Sequence, residues 1–173
     1  MSSIDNNELF EKYYQKEYDF NTTSLSLDEI DAIKKLAREK RVDYASAPMG
    51  IGVFDWIQKQ SSDIRFELVS FESDKIDGML YIPTMGKERA YIILNSNKPL
   101  VNQAFAAAHE FYHYIKDYQV FKEKPYICDF SMLKDVNEKK ACRFAAEILF
   151  PEEALNREVR DYCRSLRATD FKS

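Results

Sequence analysis

Apolar residues recur along this chain at two different periods, and the change of period divides it. Leu27, Ile30, Ile33 and Leu36 fall at helical intervals, and Ser26 followed by Glu29 matches a capping box. Together they predict a helix over 27–40. A second, shorter helix is predicted over 51–60 (IGVFDWIQKQ), ending at the polar SSD that follows. The period then shortens. RFELVSFE (65–72), DGMLYIP (77–83) and RAYIILN (89–95) are β-rich runs separated by short polar links, which predicts three strands in a small meander or mixed sheet. Helical spacing returns over 100–117, and an irregular stretch containing Pro125 is expected over 118–130. Ser131 or Asp135 can open the next helix, at about 133–149, which Pro151 closes. Leu155, Val159, Tyr162 and Leu166 then follow spacings of four, three and four, predicting a last amphipathic helix over 152–167 with that row facing inward. A run of strands followed by a run of helices makes the class α+β. The expected architecture is a small three-stranded sheet packed against helix 100–117 and the helices after it.

Residues 1–24 stand apart. They are polar and aromatic (ELFEKYYQKEYDF) and read as an accessory segment, with Leu9, Phe10, Tyr13 and Tyr14 on one side of a helix. The remainder, 25–173, reads as one domain, and the chain is long enough to bury a real core.

Charge narrows the function. At a net charge of −4 the chain does not have the footprint of a general nucleic-acid binder, and no direct contact with nucleic acid is expected. Two local basic features bear on this. Lys34, Lys35, Arg38, Lys40 and Arg41 cluster at the end of the first helix, where cations complement the helix dipole. Arg157, Arg160, Arg164 and Arg167 form a stripe on the last helix. Both read first as solvated faces, with docking to an acidic partner the sharper alternative. Cys128, Cys142 and Cys163 are odd in number and unpaired in pattern. The start, MSSIDNNELF, has no signal-peptide character, and no segment approaches membrane-spanning length. These features predict a reduced, cytoplasmic protein with no membrane partner.

The chemistry concentrates in AAHEFYHYI, 107–115, which holds both histidines of the chain. Four residues along a helix is one turn plus about 40°, so His109 and His113 project from one face and can grip a single ion. Glu110 is rotated about 100° from His109, beside such an ion rather than on it, where a general base for a zinc-bound water belongs. Two histidines do not complete a catalytic zinc site, which normally has three protein ligands and one open position. The third must be a carboxylate or a thiolate. Glu138 lies 25 residues beyond His113, on the face of a helix that also carries Ala141 and Cys142. Asp117, Glu123, Asp129, Asp135 and Glu147 are rivals. Glu147 and Glu138 lie about 180° apart on one helix, so both cannot point at one metal.

IILNSNKPLVNQAFAAAHEFYHYI and EKKACRFAAEILFP, in that order, resemble the paired motifs of the ImmA/IrrE-type metallopeptidases. DGMLYIP is similar to that family's upstream glycine-containing strand, and the resemblance covers about residues 27–155. It implies a gluzincin-like core in the 25–173 domain, with His109, His113 and Glu138 as zinc ligands and Glu110 as the catalytic carboxylate. It also implies a protein substrate, since such proteins often cleave or inactivate helix-turn-helix repressors of mobile elements or stress regulons. Two positions depart from the pattern. Phe111-Tyr112 stands where the family has Leu-Gly, and Cys142 where it has Asn. Cys142 is one turn beyond Glu138 and within reach of a metal-bound imidazole.

Two functions follow. One is a zinc endopeptidase acting on a regulatory protein, with an extended substrate adding to a sheet edge, for which the 89–95 strand is the expected one. The other is a non-proteolytic regulator whose metal stabilises a fold that binds a repressor. The presence of Glu110 favours the first, because a purely structural zinc site has no need of that carboxylate.

Overall fold

The computed structural model of the chain describes residues 24–44, 47–83, 89–118, 126–129 and 136–170. The expected accessory helix, with Leu9, Phe10, Tyr13 and Tyr14, and the openings proposed at Ser131 and Asp135 lie outside them.

The first helix, α1 (Leu27–Lys40), opens with the capping box its sequence announced. The Ser26 hydroxyl accepts from the backbone of Glu29, and the Glu29 carboxylate accepts from the backbone of Ser26. Its inner face is Ile33 and Ala37, whereas Leu27 is exposed. A 3-10 turn (Gly50–Gly52) leads into α2 (Val53–Gln60), which buries Val53, Trp56 and Ile57. Three strands follow, β1 (Ile64–Val69), β2 (Ile76–Tyr81) and β3 (Ala90–Asn95), then the long helix α3 (Leu100–Lys116). A short strand, β4 (Tyr126–Asp129), precedes α4 (Val136–Leu149) and α5 (Glu152–Asp170).

The class is α+β, and the sheet is mixed, in the order β1-β3-β2-β4. β1 runs parallel to β3, with Ile64 opposite Ala90, while β2 runs antiparallel to both β3 and β4. Two expectations change here. A fourth strand lies within the stretch read as irregular, because four residues are too few to display an alternation. The 89–95 strand is interior, paired on both sides, so its main chain has no free edge to receive a substrate; the edges of the described sheet are β1 and β4.

α3 lies across β2 and β3. Small residues let it come close: Ala104, Ala106, Ala107 and Ala108 are all buried. On the sheet side, a Cβ at Gly78 would stand 3.1 Å from the Ile93 carbonyl oxygen and 3.3 Å from the Ala106 Cβ, a tight fit that glycine relieves. Around the far side of α3, Phe111 meets Trp56 edge-on at 5.3 Å between ring centroids. It also touches Phe144 of α4, so the motif helix is held between sheet, α2 and α4. Asn95 ends β3 with its side chain donating to the Ile76 carbonyl at 2.7 Å, tying the strand end to the start of β2.

The charged clusters are clamps rather than solvated faces at α1. Arg41 is buried, and its guanidinium donates to the carbonyls of Glu147 and Ile148 at the end of α4 and of Ala47. Lys34 and Arg38 pair with Glu152 and Glu153 at 2.6 and 2.9 Å, holding the start of α5. Beyond that start α5 departs from expectation. Ala154 is fully buried, but Leu155, Val159 and Tyr162, expected inward, are exposed. No helix among the described residues is long and apolar enough to cross a membrane.

Candidate metal centre

α3 and α4 cross so that three side chains converge in the interior. His109, His113 and Glu138 are 1%, 1% and 2% exposed, and all three are on helices rather than loops. Their donor groups form a compact triangle, with one Glu138 oxygen against each ring. The two Nε2 atoms are 3.2 Å apart, His109 Nε2 is 3.1 Å from Glu138 Oε2, and His113 Nε2 is 3.2 Å from Glu138 Oε1. A tetrahedral ion with bonds of about 2.05 Å sets its donors roughly 3.3 Å apart. The spacing of the donor groups is therefore of the right size for such an ion. Three electron-pair donors crowded together away from water repel one another unless something positive sits between them. The donor set, two imidazoles and a carboxylate, suits zinc and other first-row divalent ions.

The rest of each imidazole is also engaged. His113 Nδ1 lies 2.9 Å from Asp117 Oδ2, one turn on along α3. A carboxylate can only accept, so Nδ1 carries the proton and the lone pair of Nε2 faces the triangle. His109 Nδ1 lies 3.5 Å from Cys142 Sγ, the contact expected from the position of Cys142 one turn past Glu138. Burial of His113 works against its protonated form, but the carboxylates of Glu138, Glu110 and Asp117 outweigh it and raise the pKa. The Cys142 thiol is pushed up to about 12, first by burial and then by Glu138 and Glu110, which keeps it a neutral thiol.

Glu110 is fully buried on the same helix, next to His109 in sequence. Among the rival carboxylates, Glu147 is buried but points elsewhere: it pairs with Arg143 and accepts from the backbone of Glu152 at 3.2 Å. Asp117 is the residue whose role the sequence left open. Four residues after His113 suits either a ligand or a partner of the ring, and only the nitrogen it faces decides between them.

The two departures from the family pattern are accommodated. Tyr112 packs 5.4 Å from Phe144 between ring centroids, and its ring lines a cavity of about 340 Å³ with Ile33, Leu36, Lys116 and Asp117. The bulk that replaces glycine is thus taken up between α1, α3 and α4, with its ring edge-on to that of His113 at 5.9 Å between centroids. Burial raises the Tyr112 hydroxyl to about 12.

A family model described as the IrrE N-terminal-like domain, a peptidase family, matches residues 59–172, well over half of the chain and the whole of the centre described above. No curated protein matches it.

Proposed function

The chain belongs to the IrrE N-terminal-like peptidase family, and on that premise we propose that it is a zinc-dependent endopeptidase acting on a regulatory protein. The observation that carries the reading is the buried triangle of His109, His113 and Glu138 with Glu110 beside it on α3. His109, His113 and Glu138 would hold the ion. A bound zinc supplies Lewis acidity, polarising a carbonyl and acidifying a water. Glu110 would take a proton from the attacking water on a carboxylate oxygen and return it to the departing amine. The place of Glu110 supports this role, because it is buried on α3 next in sequence to His109. Asp117 and Cys142 would hold the two imidazoles at their outer nitrogens.

The substrate we infer is a transcriptional repressor of the helix-turn-helix kind, and the paired motifs that resemble the ImmA/IrrE-type proteins support it. The reaction would take place in the cytoplasm, where the free thiols of Cys142 and Cys163 stay reduced. The test pairs the purified protein, loaded with zinc, with the repressor encoded in a neighbouring reading frame. Cleavage should be complete with wild type and absent with Glu110→Gln, while zinc content and melting temperature stay the same. Inactivation of the repressor by Glu110→Gln would sink the proteolytic reading in favour of a regulator that acts by binding.

A further inference from the structure

Val101, Phe105, His109 and His113 follow one another at intervals of four on α3. At about 100° per residue each step drifts only about 40°, so the four lie along a single stripe, with Asn102 inside it. The metal donors occupy the second half of that stripe. The first half faces a cavity of about 260 Å³ lined by Val101, Asn102, Phe105 and, from β2, Asp77. Phe105 is about 6 Å along the axis from His109, and Val101 about 12 Å. The cavity therefore lies on the N-terminal side of the metal centre, about 6–12 Å from it along α3.

Its polar wall is built by an irregularity in the sheet. β2 and β4 pair Ile76 with Asp129 and then Gly78 with Cys128, so Asp77 is an extra residue in β2, a bulge. A bulge breaks the alternation of sides and re-aims a side chain. Here Asp77 turns into the cavity although its neighbour Gly78 also faces α3. Asp77 is buried, and Lys98 Nζ pairs with its Oδ1 at 3.2 Å. The wall is thus polar but already charge-balanced, which disfavours a charged occupant. The outer wall is apolar and wet: Val101 is 70% exposed, and Leu100 beside it is 51% exposed. A bound side chain in the cavity would cover Val101. The volume falls below the roughly 300–1,000 Å³ of pockets that enclose whole small molecules, and suits one side chain.

We propose that this cavity is the specificity subsite of the peptidase, taking a large uncharged apolar side chain such as Leu or Phe. An extended peptide advances roughly 3.3 Å per residue, so that side chain belongs about two to four residues from the cleaved bond. The proposal rests on the endopeptidase reading above for its meaning, but its test does not depend on turnover.

Zinc-loaded Glu110→Gln protein is titrated with fluorescein-labelled Gly-Ser peptides that carry Leu, Phe, Ala or Arg at one central position. Fluorescence anisotropy gives each affinity, and the single distinctive residue sets the register. Leu and Phe should bind at least about tenfold more tightly than Ala, the scale expected for a few methylenes in an apolar pocket. Val101→Asp, at an exposed position that leaves the fold and zinc content intact, should abolish that preference, and Phe105→Ala should reduce it. Equal affinities for Leu and Ala, or a Leu preference untouched by Val101→Asp, would overturn the subsite. Preference for Arg would overturn its apolar character and point to exchange with Lys98. If the affinities behave as expected while wild type cleaves none of the peptides, the subsite stands and the catalytic reading alone fails.

Discussion

Replacing Asp117 tests whether the imidazoles are held from outside the donor triangle. Asp117 Oδ2 accepts from His113 Nδ1 at 2.9 Å, which fixes both the tautomer and the angle at which Nε2 is presented. Losing such a partner typically costs 10–100-fold in metal affinity, or about 1.4–2.7 kcal/mol. The Asp117 side chain is 24% exposed, so water screens part of the interaction, and the lower half of that range, about 10–30-fold, is expected for Asp117→Ala. Asp117→Asn keeps an acceptor oxygen but loses the charge, which roughly halves the strength of the hydrogen bond and places the variant between Ala and wild type. Cys142→Ala is the internal comparison. Its sulfur is 3.5 Å from His109 Nδ1 and is a poor acceptor, so its loss should cost no more than about threefold. Zinc dissociation constants from competition against a chromophoric chelator rank the four proteins at one pH. Asp117→Ala binding within about twofold of wild type would refute the orienting role. Asn as harmful as Ala would assign the whole effect to charge and leave the geometric argument without support.

Glu138→Ala should lose most of its zinc by elemental analysis, whereas Glu147→Ala should keep it and lose thermal stability, because its carboxylate joins Arg143 and the backbone of Glu152; equal zinc in wild type and Glu138→Ala would show that the wrong carboxylate was chosen. Glu29 carries a pH dependence: hydrogen bonding from Lys140, then from Ser26, pulls its carboxyl down from the usual 4.5 to about 2. A depressed carboxyl stabilises the fold above its unfolded pKa and loses that contribution as pH falls through the folded one. The melting-temperature gap between wild type and Glu29→Gln should therefore be full at pH 7 and close between pH 4.5 and 2, and a gap that persists unchanged at pH 2 would contradict the pairing.

What the sequence disclosed and what it withheld divide along a physical line. Patterns that act within one element were legible. The capping box of α1 and the i, i+4 histidines of α3 depend only on helix geometry, which is the same in every protein. Glu138 was legible in part: its face of α4 could be read, but the crossing of α4 over α3 came from the order of two motifs rather than from any local rule. Relations between elements were opaque. Arg41 looked like one more cation at a helix end, and nothing local foretold that its guanidinium would cap carbonyls of α4 more than a hundred residues away. β4 was too short to alternate. The Leu155, Val159 and Tyr162 row shows the limit most plainly. An amphipathic pattern records that a face is apolar, and the burial it invites was assumed to lie within the domain. Among the described side chains of α5 only Ala154 is buried, and Leu155, Val159 and Tyr162 stay open. Asp77 is the converse case. In the sequence it opens the second strand run, yet the bulge it occupies turns a carboxylate into the cavity at the start of α3, beside Lys98. A register shift between two strands thus shapes the wall of that cavity, and a pairing irregularity of this kind leaves no mark in the pattern of a single strand.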